Sequence, residues 1–392
     1  MWRSKLAAGT LFLAAAIGVT GPHGQETLGS LAKKRGVYVG AAVGGAFWGG
    51  DSRYQETLKR EFNIIVAENA MKFDLLQPKR NEFQWKQADD LVAFAARNGM
   101  ALRGHCLVWH QQSEWLAAAS GLGRAEMLSI LKNHIDSVMT HFKGRVLEWD
   151  VVNEAIDDDG KSLRNTFWLQ RIGSDYLDSA FTWAHRADPN AFLFYNDYSG
   201  EGMGGKSDRI FALVKGMKDK GIPIHGVGLQ AHFASGGSFT TADIDRNMKR
   251  LGALGLRVSI TELDFRFALP VDAAKLTVQK GNYAAMLGVC LANENCKTFL
   301  TWGFTDAHSW VPGFFQGSGA ALPFDANYAP KPAYDGMKEA LTATPIGLFP
   351  ARDPRSAPGP GDRNTKGTLP GNFGSEAVQG GVRNALGRWM GF

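Results

Sequence analysis

Only three cysteines occur in 392 residues, at positions 106, 290 and 296, too few for a disulfide framework to replace a hydrophobic core. Beyond the N-terminal segment, no run approaches the roughly 18 consecutive apolar residues of a membrane-spanning helix. The chain has no Gly-rich phosphate loop and no His-x-x-x-His or Cys-x-x-Cys spacing, which argues against phosphate chemistry and against a metal-dependent hydrolase. A broad field of one charge sign is missing too. Of the net charge of +5, Arg3 and Lys5 supply +2, and the six basic and three acidic residues after Ala351 supply +3, so nothing remains for the body of the chain. A neutral body offers no extended phosphate-binding face, and nucleic acid is not an expected partner. What is abundant is core material: 44% of residues are hydrophobic, with 11 Trp and 24 Phe, which excludes wholesale disorder and a collagen-like fibre.

The ends read differently from the middle. Residues 1–21 carry Arg3 and Lys5, an uncharged apolar run from Leu6 to Val19, and then small residues, the pattern of a secretory signal peptide. Export follows, to the periplasm or the medium, with no membrane association after the signal is removed. Residues 348–392 are rich in Pro and Gly and lack periodic apolar content, which predicts a disordered low-complexity tail. In an exported protein Cys290 and Cys296, six residues apart, can close a disulfide, whereas Cys106 sits in an apolar run and reads as a buried free thiol.

Between the ends, residues 22–347 form one expected domain. Eight short apolar or β-branched runs recur there: Val37 to Val43, Ile64 to Ala70, Ala101 to Trp109, Leu147 to Glu154, Phe192 to Tyr198, Gly226 to His232, Arg257 to Asp264 and Thr298 to Phe304. Their starts lie 27 to 46 residues apart, room for a crossover helix each time. Eight βα units make a single (β/α)8 barrel of the α/β class, with a doubly wound open sheet as the competitor. Polar residues sharpen the choice. Glu68-Asn69, His105 and Trp109, Asn153-Glu154, Asn196-Asp197, Gln230 and His232, Glu262 and Asp264, and Trp302 stand at or near the C-terminal ends of their runs. A barrel gathers those ends at one mouth.

Carboxylates, amides, histidines and tryptophans at one mouth suit a sugar, because indole faces stack on pyranose rings while amides and carboxylates bind hydroxyls. Glycoside hydrolysis needs two carboxyl groups, and Glu154 and Glu262 are the best-framed pair. Each alone could be a helix cap or a surface ion pair. On converging strands, beside other polar groups, a catalytic pair is the stronger reading.

The motifs around these residues resemble those of glycoside hydrolase family 10, the retaining endo-β-1,4-xylanases. Trp149 to Ala155 (WDVVNEA) and Ile260 to Asp264 (ITELD) are similar to its two catalytic signatures. Glu68 to Lys72, His105 to His110, Leu163 to Trp168, Tyr195 to Tyr198, Gly228 to His232 and Thr301 to Asp306 match further blocks in the family's order, from about residue 28 to about 343. The resemblance implies the barrel fold, Glu154 as acid/base and Glu262 as nucleophile. It implies that Asn153 bonds the sugar 2-hydroxyl and that His232 holds the nucleophile with Asp264 orienting it. Glu68, Asn69, Lys72, His105, Gln230, Trp109, Trp302 and Trp310 are then the walls of the subsites on the non-reducing side. Trp115, Trp168 and Trp183 are read as core. The resemblance implies a xylan substrate and no metal or organic cofactor, and a monomer is expected.

Two departures stand out. Only four residues, Gln111 to Glu114, separate His110 from Trp115, where the family usually has one more, so no role carries over to Gln112. Many relatives end in a carbohydrate-binding module, and here the Pro/Gly-rich tail stands in its place. Rival readings are a β-1,4-glucanase, a non-catalytic polysaccharide-binding protein on the same barrel, and a metal hydrolase using His105, His110, His232 and His308.

Overall fold

Strands that are apolar along their length and polar at one end must bury both faces while delivering that end to solvent, which a closed parallel barrel allows. The computed structural model describes residues 26–119, 121–234 and 239–343, together with the backbone of two short strands, Val382–Arg383 and Trp389–Met390, that pair antiparallel with each other. The expected signal segment lies outside the described residues, as does the rest of the expected tail.

Eight parallel strands form the barrel: β1 (Tyr38–Val43), β2 (Ile64–Ala67), β3 (Ala101–Val108), β4 (Glu148–Asn153), β5 (Phe192–Asp197), β6 (Gly226–Leu229), β7 (Arg257–Ala268) and β8 (Cys296–Thr301). Each pairs with the next in parallel, and β8 pairs with β1, so the sheet closes. The open doubly wound sheet is thereby excluded. One main helix follows each strand around the outside, with shorter helices in several of the loops: α1 (Ser52–Glu61), α2 (Lys86–Arg97), α3 (Arg124–His141), α4 (Tyr176–Ala187), α5 (Gly205–Asp219), α6 (Thr241–Ala253), α7 (Ala273–Ala292) and α8 (Pro332–Thr342). A shorter helix, Leu28–Lys34, precedes β1 and packs on α8.

Most strands begin or end one to three residues away from the expected limits, as in β2, which stops at Ala67, and β8, which runs from Cys296 to Thr301, and two differ in their pairing as well. The sixth run breaks after Leu229, where Ala231 adopts φ 65°, and His232–Ala234 resumes as a short strand alongside β7. β7 continues past Asp264 to Ala268 because that extension pairs with His232–Ala234 and with Ser318–Gly319. Local sequence cannot show a pairing partner so distant along the chain.

Alternation along the strands sorts the core into two layers. Val39, Ala41, Val43, Ile65 and Ala67 join the large cluster that receives the helices, whose buried stripes run at helical spacing, as in Met127, Ile130, Leu131, Ile135 and Val138 of α3. Ala42, Ile64, Val66, Leu300 and Trp302 form a separate small cluster. Among the remaining buried side chains is a charged group: Arg103 on β3 pairs with Glu148 and Asp150 on β4, all with at most 1% of the side chain exposed. Asp150 also bonds His105 Nδ1 at 3.0 Å, and Thr298 Oγ1 donates to Glu148 at 2.9 Å. Replacing any one partner would strand a buried charge, a loss of several kcal/mol in comparable cases.

Cys290 at the end of α7 and Cys296 at the start of β8 form the expected disulfide, and Cys106 is a buried free thiol. Gly104 is required by a close approach. A methyl group there would lie 2.2 Å from the Trp149 ring on β4. Gly104→Ala is expected to lower stability by about 1–3 kcal/mol through overpacking, read as a reduced urea midpoint. An unchanged midpoint would show that β3 and β4 can slide apart at no cost.

Candidate active site

Glu154 leaves the end of β4 with φ 56°, a left-handed conformation that a residue with a side chain adopts only when its surroundings hold it. Its N–H donates to the Asn196 carbonyl at 2.8 Å, and Arg164 Nε donates to its carbonyl at 3.1 Å. The carboxyl is buried: Oε1 accepts from Gln230 Nε2 at 2.9 Å, and Oε2 accepts from Trp109 Nε1 at 2.8 Å. His110 Nδ1 stands 3.5 Å from Oε2.

Glu262, inside β7, is buried as well. Its Oε1 accepts from Asn196 Nδ2 at 2.8 Å, and its Oε2 lies 3.2 Å from His232 Nε2. His232 Nδ1 is 2.8 Å from Asp264 Oδ2, which also accepts from Trp310 Nε1 at 2.8 Å. Asn153 Oδ1 accepts from Asn196 Nδ2 at 2.8 Å and from Gln230 Nε2 at 3.3 Å. A continuous row of amides, Gln230, Asn153 and Asn196, therefore joins the two carboxyl groups.

Along the cleft, Lys72 Nζ donates to Asn69 Oδ1 at 2.9 Å, and Asn69 Nδ2 donates to Glu68 Oε1 at 3.3 Å. Lys72 also lies 4.7 Å from the Trp109 ring centroid and 6.0 Å from that of Trp302. His105 meets Trp302 edge-on at 5.3 Å, and His232 meets Trp310 edge-on at 4.9 Å. The residues singled out from sequence are thus neighbours around one mouth. Trp168 is core, with its indole N–H on the Trp109 carbonyl at 3.0 Å. Trp115 and Trp183 are partly buried and pack on the core. Of the histidines considered as metal ligands, His308 lies apart, against Tyr328. Among the described residues no group of three or more His, Cys, Asp or Glu side chains is placed to hold a metal ion.

The model of glycosyl hydrolase family 10 matches residues 27–340. The chain belongs to glycosyl hydrolase family 10. It is 41% identical over 314 residues to endo-1,4-beta-xylanase B of Thermotoga neapolitana, covering 79% of this chain and 90% of that protein. Among solved structures it is 42% identical to native xylanase 10B from Thermotoga maritima, with a TM-score of 0.78 over 81% of this chain and 98% of that one. It is likewise 42% identical to xylanase 10B from Thermotoga petrophila in complex with xylobiose, with a TM-score of 0.79 over 82% and 98%.

Within this family 10 cleft the two carboxyl groups sit in different fields. Burial alone would depress the His232 imidazolium, but the charge of Asp264 and the bonds to Asp264 and Glu262 outweigh it and raise its pKa to about 10. As a cation His232 donates from both ring nitrogens, one to each carboxylate. For Glu154, burial pushes the carboxyl up, while His110, Gln230, Trp109 and Arg164 pull it down to a net position below the ordinary value. The His110 pull needs an imidazolium, and burial keeps His110 itself below its ordinary value. Near neutral pH His110 is therefore uncharged, and burial works against a weaker pull. Burial also raises Glu68, opposed by Lys72 and Asn69 and reinforced by Glu262.

Sequence reasoning noted Asn196 as a polar strand end without giving it a place in the site. Its register with Asn153 on β4 was the available signal, since paired residues on adjacent strands share a face. Gly228 on β6 leaves it room, for a methyl there would lie 2.2 Å from Asn196 Oδ1. His110 was read from sequence as the end of a matched block and as a metal candidate, and Arg164 only as part of a matched block, neither with a place beside Glu154. The short loop after β3 is pinned by Ser113 and Trp115, which both donate to the Gln77 carbonyl, at 2.7 and 3.0 Å. In that loop Gln111 Nε2 and Gln112 Oε1 are buried with no hydrogen-bond partner among the described residues.

Because His232 is raised in the folded state, from an unfolded value near 6.5, its contribution to stability is complete below about pH 6.5. It is lost as pH rises through the folded value of about 10. The difference in Tm between the wild type and His232→Asn should therefore shrink steadily across that interval. A difference independent of pH would mean that His232 is not held as a cation.

Proposed function

We propose that this chain hydrolyses internal β-1,4-xylosidic bonds of xylan with net retention, using Glu262 as nucleophile and Glu154 as general acid and base. The observation that carries the reading is the pair of buried carboxyl groups on converging strands, each with its own donors and joined by one row of amides. The substrate follows from the relatives, named as endo-1,4-beta-xylanases, and from the solved relative that holds xylobiose.

In the first step a Glu262 oxygen attacks the anomeric carbon, the bond to the leaving xylosyl oxygen breaks, and Glu154 delivers its proton to that oxygen. In the second, water attacks the same carbon, Glu154 takes the water proton, and Glu262 departs as carboxylate. Both steps need the carboxyl groups about 5 to 5.5 Å apart. Asn196 and His232 fix both oxygens of the nucleophile, so little reorganisation is left for the reaction itself. Asn153 has its Oδ1 occupied by Asn196 and Gln230, which leaves its amide N–H groups to bond the sugar 2-hydroxyl in the transition state. Trp109, Trp302 and Trp310 supply the apolar walls, and Glu68, Asn69, Lys72 and His105 the polar contacts, of the non-reducing side. The protein acts as an exported monomer: one chain completes the site, and the Cys290–Cys296 disulfide suits an oxidising compartment.

Purified mature protein should release short xylo-oligosaccharides from soluble glucuronoarabinoxylan, in the presence of a chelator as well as without it, with the β-anomer formed first by NMR. Glu262→Ala should lower kcat on the order of 10⁴-fold or more. Product release unchanged in that variant would remove Glu262 as nucleophile. Activity on β-glucan with none on xylan would move the substrate to the glucanase alternative.

A further inference from the structure

The left-handed turn at Glu154 leaves the two N–H groups that follow it, those of Ala155 and Ile156, off the strand ladder. Both find the same acceptor: the hydroxyl oxygen of Tyr195, on β5, at 3.0 Å each. Tyr195 is fully buried, and its own proton goes to Asp197 Oδ2. Asp197 is fully buried too. Its Oδ1 lies 2.9 Å from Nζ of Lys206, a lysine on α5 that is itself only 7% exposed and sits 3.5 Å above the Tyr198 ring. Burying a carboxylate, an ammonium and a phenol together is costly, and apolar residues of similar volume would fill the space as well. What they could not do is supply an oxygen with two lone pairs turned toward the backbone. A phenol has one proton, so committing it to Asp197 points both lone pairs at the two amides.

We propose that Tyr195 is a positioning residue for Glu154, with Asp197 and Lys206 fixing the direction of its hydroxyl. The proposal rests on Glu154 being the acid/base. Arg164 clamps the same turn from the carbonyl side, through Nε to the Glu154 carbonyl at 3.1 Å and Nη2 to that of Ile156 at 3.2 Å. Tyr195 clamps the amide side. Without it the peptide after Glu154 can rotate, and a carboxyl displaced from the leaving oxygen donates its proton poorly while Glu262 keeps its place on β7.

The test uses leaving groups of different need. Tyr195→Phe should lower kcat on a xylo-oligosaccharide about 10- to 100-fold with KM changed less than about 2-fold, because only proton delivery suffers. On 2,4-dinitrophenyl β-xylobioside, whose phenolate leaves without a proton, the rate of glycosyl-enzyme formation should stay within about 3-fold of wild type. Asp197→Asn should give the same pattern, smaller in size, and serves if Tyr195→Phe folds poorly. Equal losses on both substrates, in step with a lowered Tm, would reduce Tyr195 to a structural role and overturn the proposal, as would unchanged kinetics. Glu154→Ala separates the two readings: glycosyl-enzyme formation lost on the oligosaccharide but kept on the aryl xylobioside, whose slowed steady-state turnover azide restores as β-xylobiosyl azide, establishes the acid/base. If that result is obtained while Tyr195→Phe is neutral, only the positioning role falls. If Glu154→Ala keeps full activity on the oligosaccharide, the acid/base assignment falls and the positioning proposal with it.

Discussion

Two carboxyl groups buried at one barrel mouth repel each other, and each resists leaving water. The row of amides between Glu154 and Glu262 is what makes their coexistence tolerable, because every oxygen of the pair has a fixed partner: Gln230 and Trp109 for Glu154, Asn196 and His232 for Glu262. The partners differ in kind. Glu154 receives neutral donors, whereas Glu262 shares a cationic imidazole with Asp264. Two chemically identical side chains are thereby given unequal electrostatic surroundings, which a division of labour between a proton carrier and a nucleophile requires.

The same logic extends below the mouth. Strand register sets Arg103 beside Glu148 and His105 beside Asp150. One arginine thus answers two acids, and the second of those acids holds His105 against Trp302. Such a network adds little net stability over an apolar core, but it is intolerant of partial removal. The orientation of a cleft histidine is therefore tied to an ion pair one step deeper in the barrel, and any slip between β3 and β4 would break both at once.

Much of this was legible in the chain because an apolar run ending in polar residues is a local pattern. The eight strands and their polar ends could be read run by run, and the mouth and the pairing of Glu154 with Glu262 followed from taking those ends together. Arg103 lies in the middle of such a run, where a charge contradicts the pattern, and its two acids stand 45 and 47 positions away. Tyr195 reads as one more aromatic core residue, since nothing local shows that its hydroxyl meets the turn of a neighbouring strand. The extension of β7 to Ala268 is hidden for the same reason, as its partners come from segments on either side of it in sequence. What stayed unread was long-range and polar, and local periodicity carries no information about which distant donor meets which acceptor.

The irregular backbone of the barrel gathers where the chemistry is. Glu154, Ser199 and Ala231 all adopt positive φ, at 56°, 55° and 65°, just after β4, β5 and β6. A residue with a side chain gains nothing in stability from that conformation and keeps it only when the surroundings enforce it. Each turn redirects the chain as it leaves the barrel, and the enforcing contacts are specific: Tyr195 and Arg164 around Glu154, and the Glu201 carboxylate on the Ala231 N–H at 2.9 Å. Two of these clamps use buried carboxylates, Asp197 behind Tyr195 and Glu201 directly, and burial pushes both upward, Asp197 to about 6. The residues that shape the mouth are therefore a second tier of desolvated acids beneath the first. Stability that could have come from apolar packing on this face is given up for geometry, and the closed, densely packed sheet below is what allows the loss.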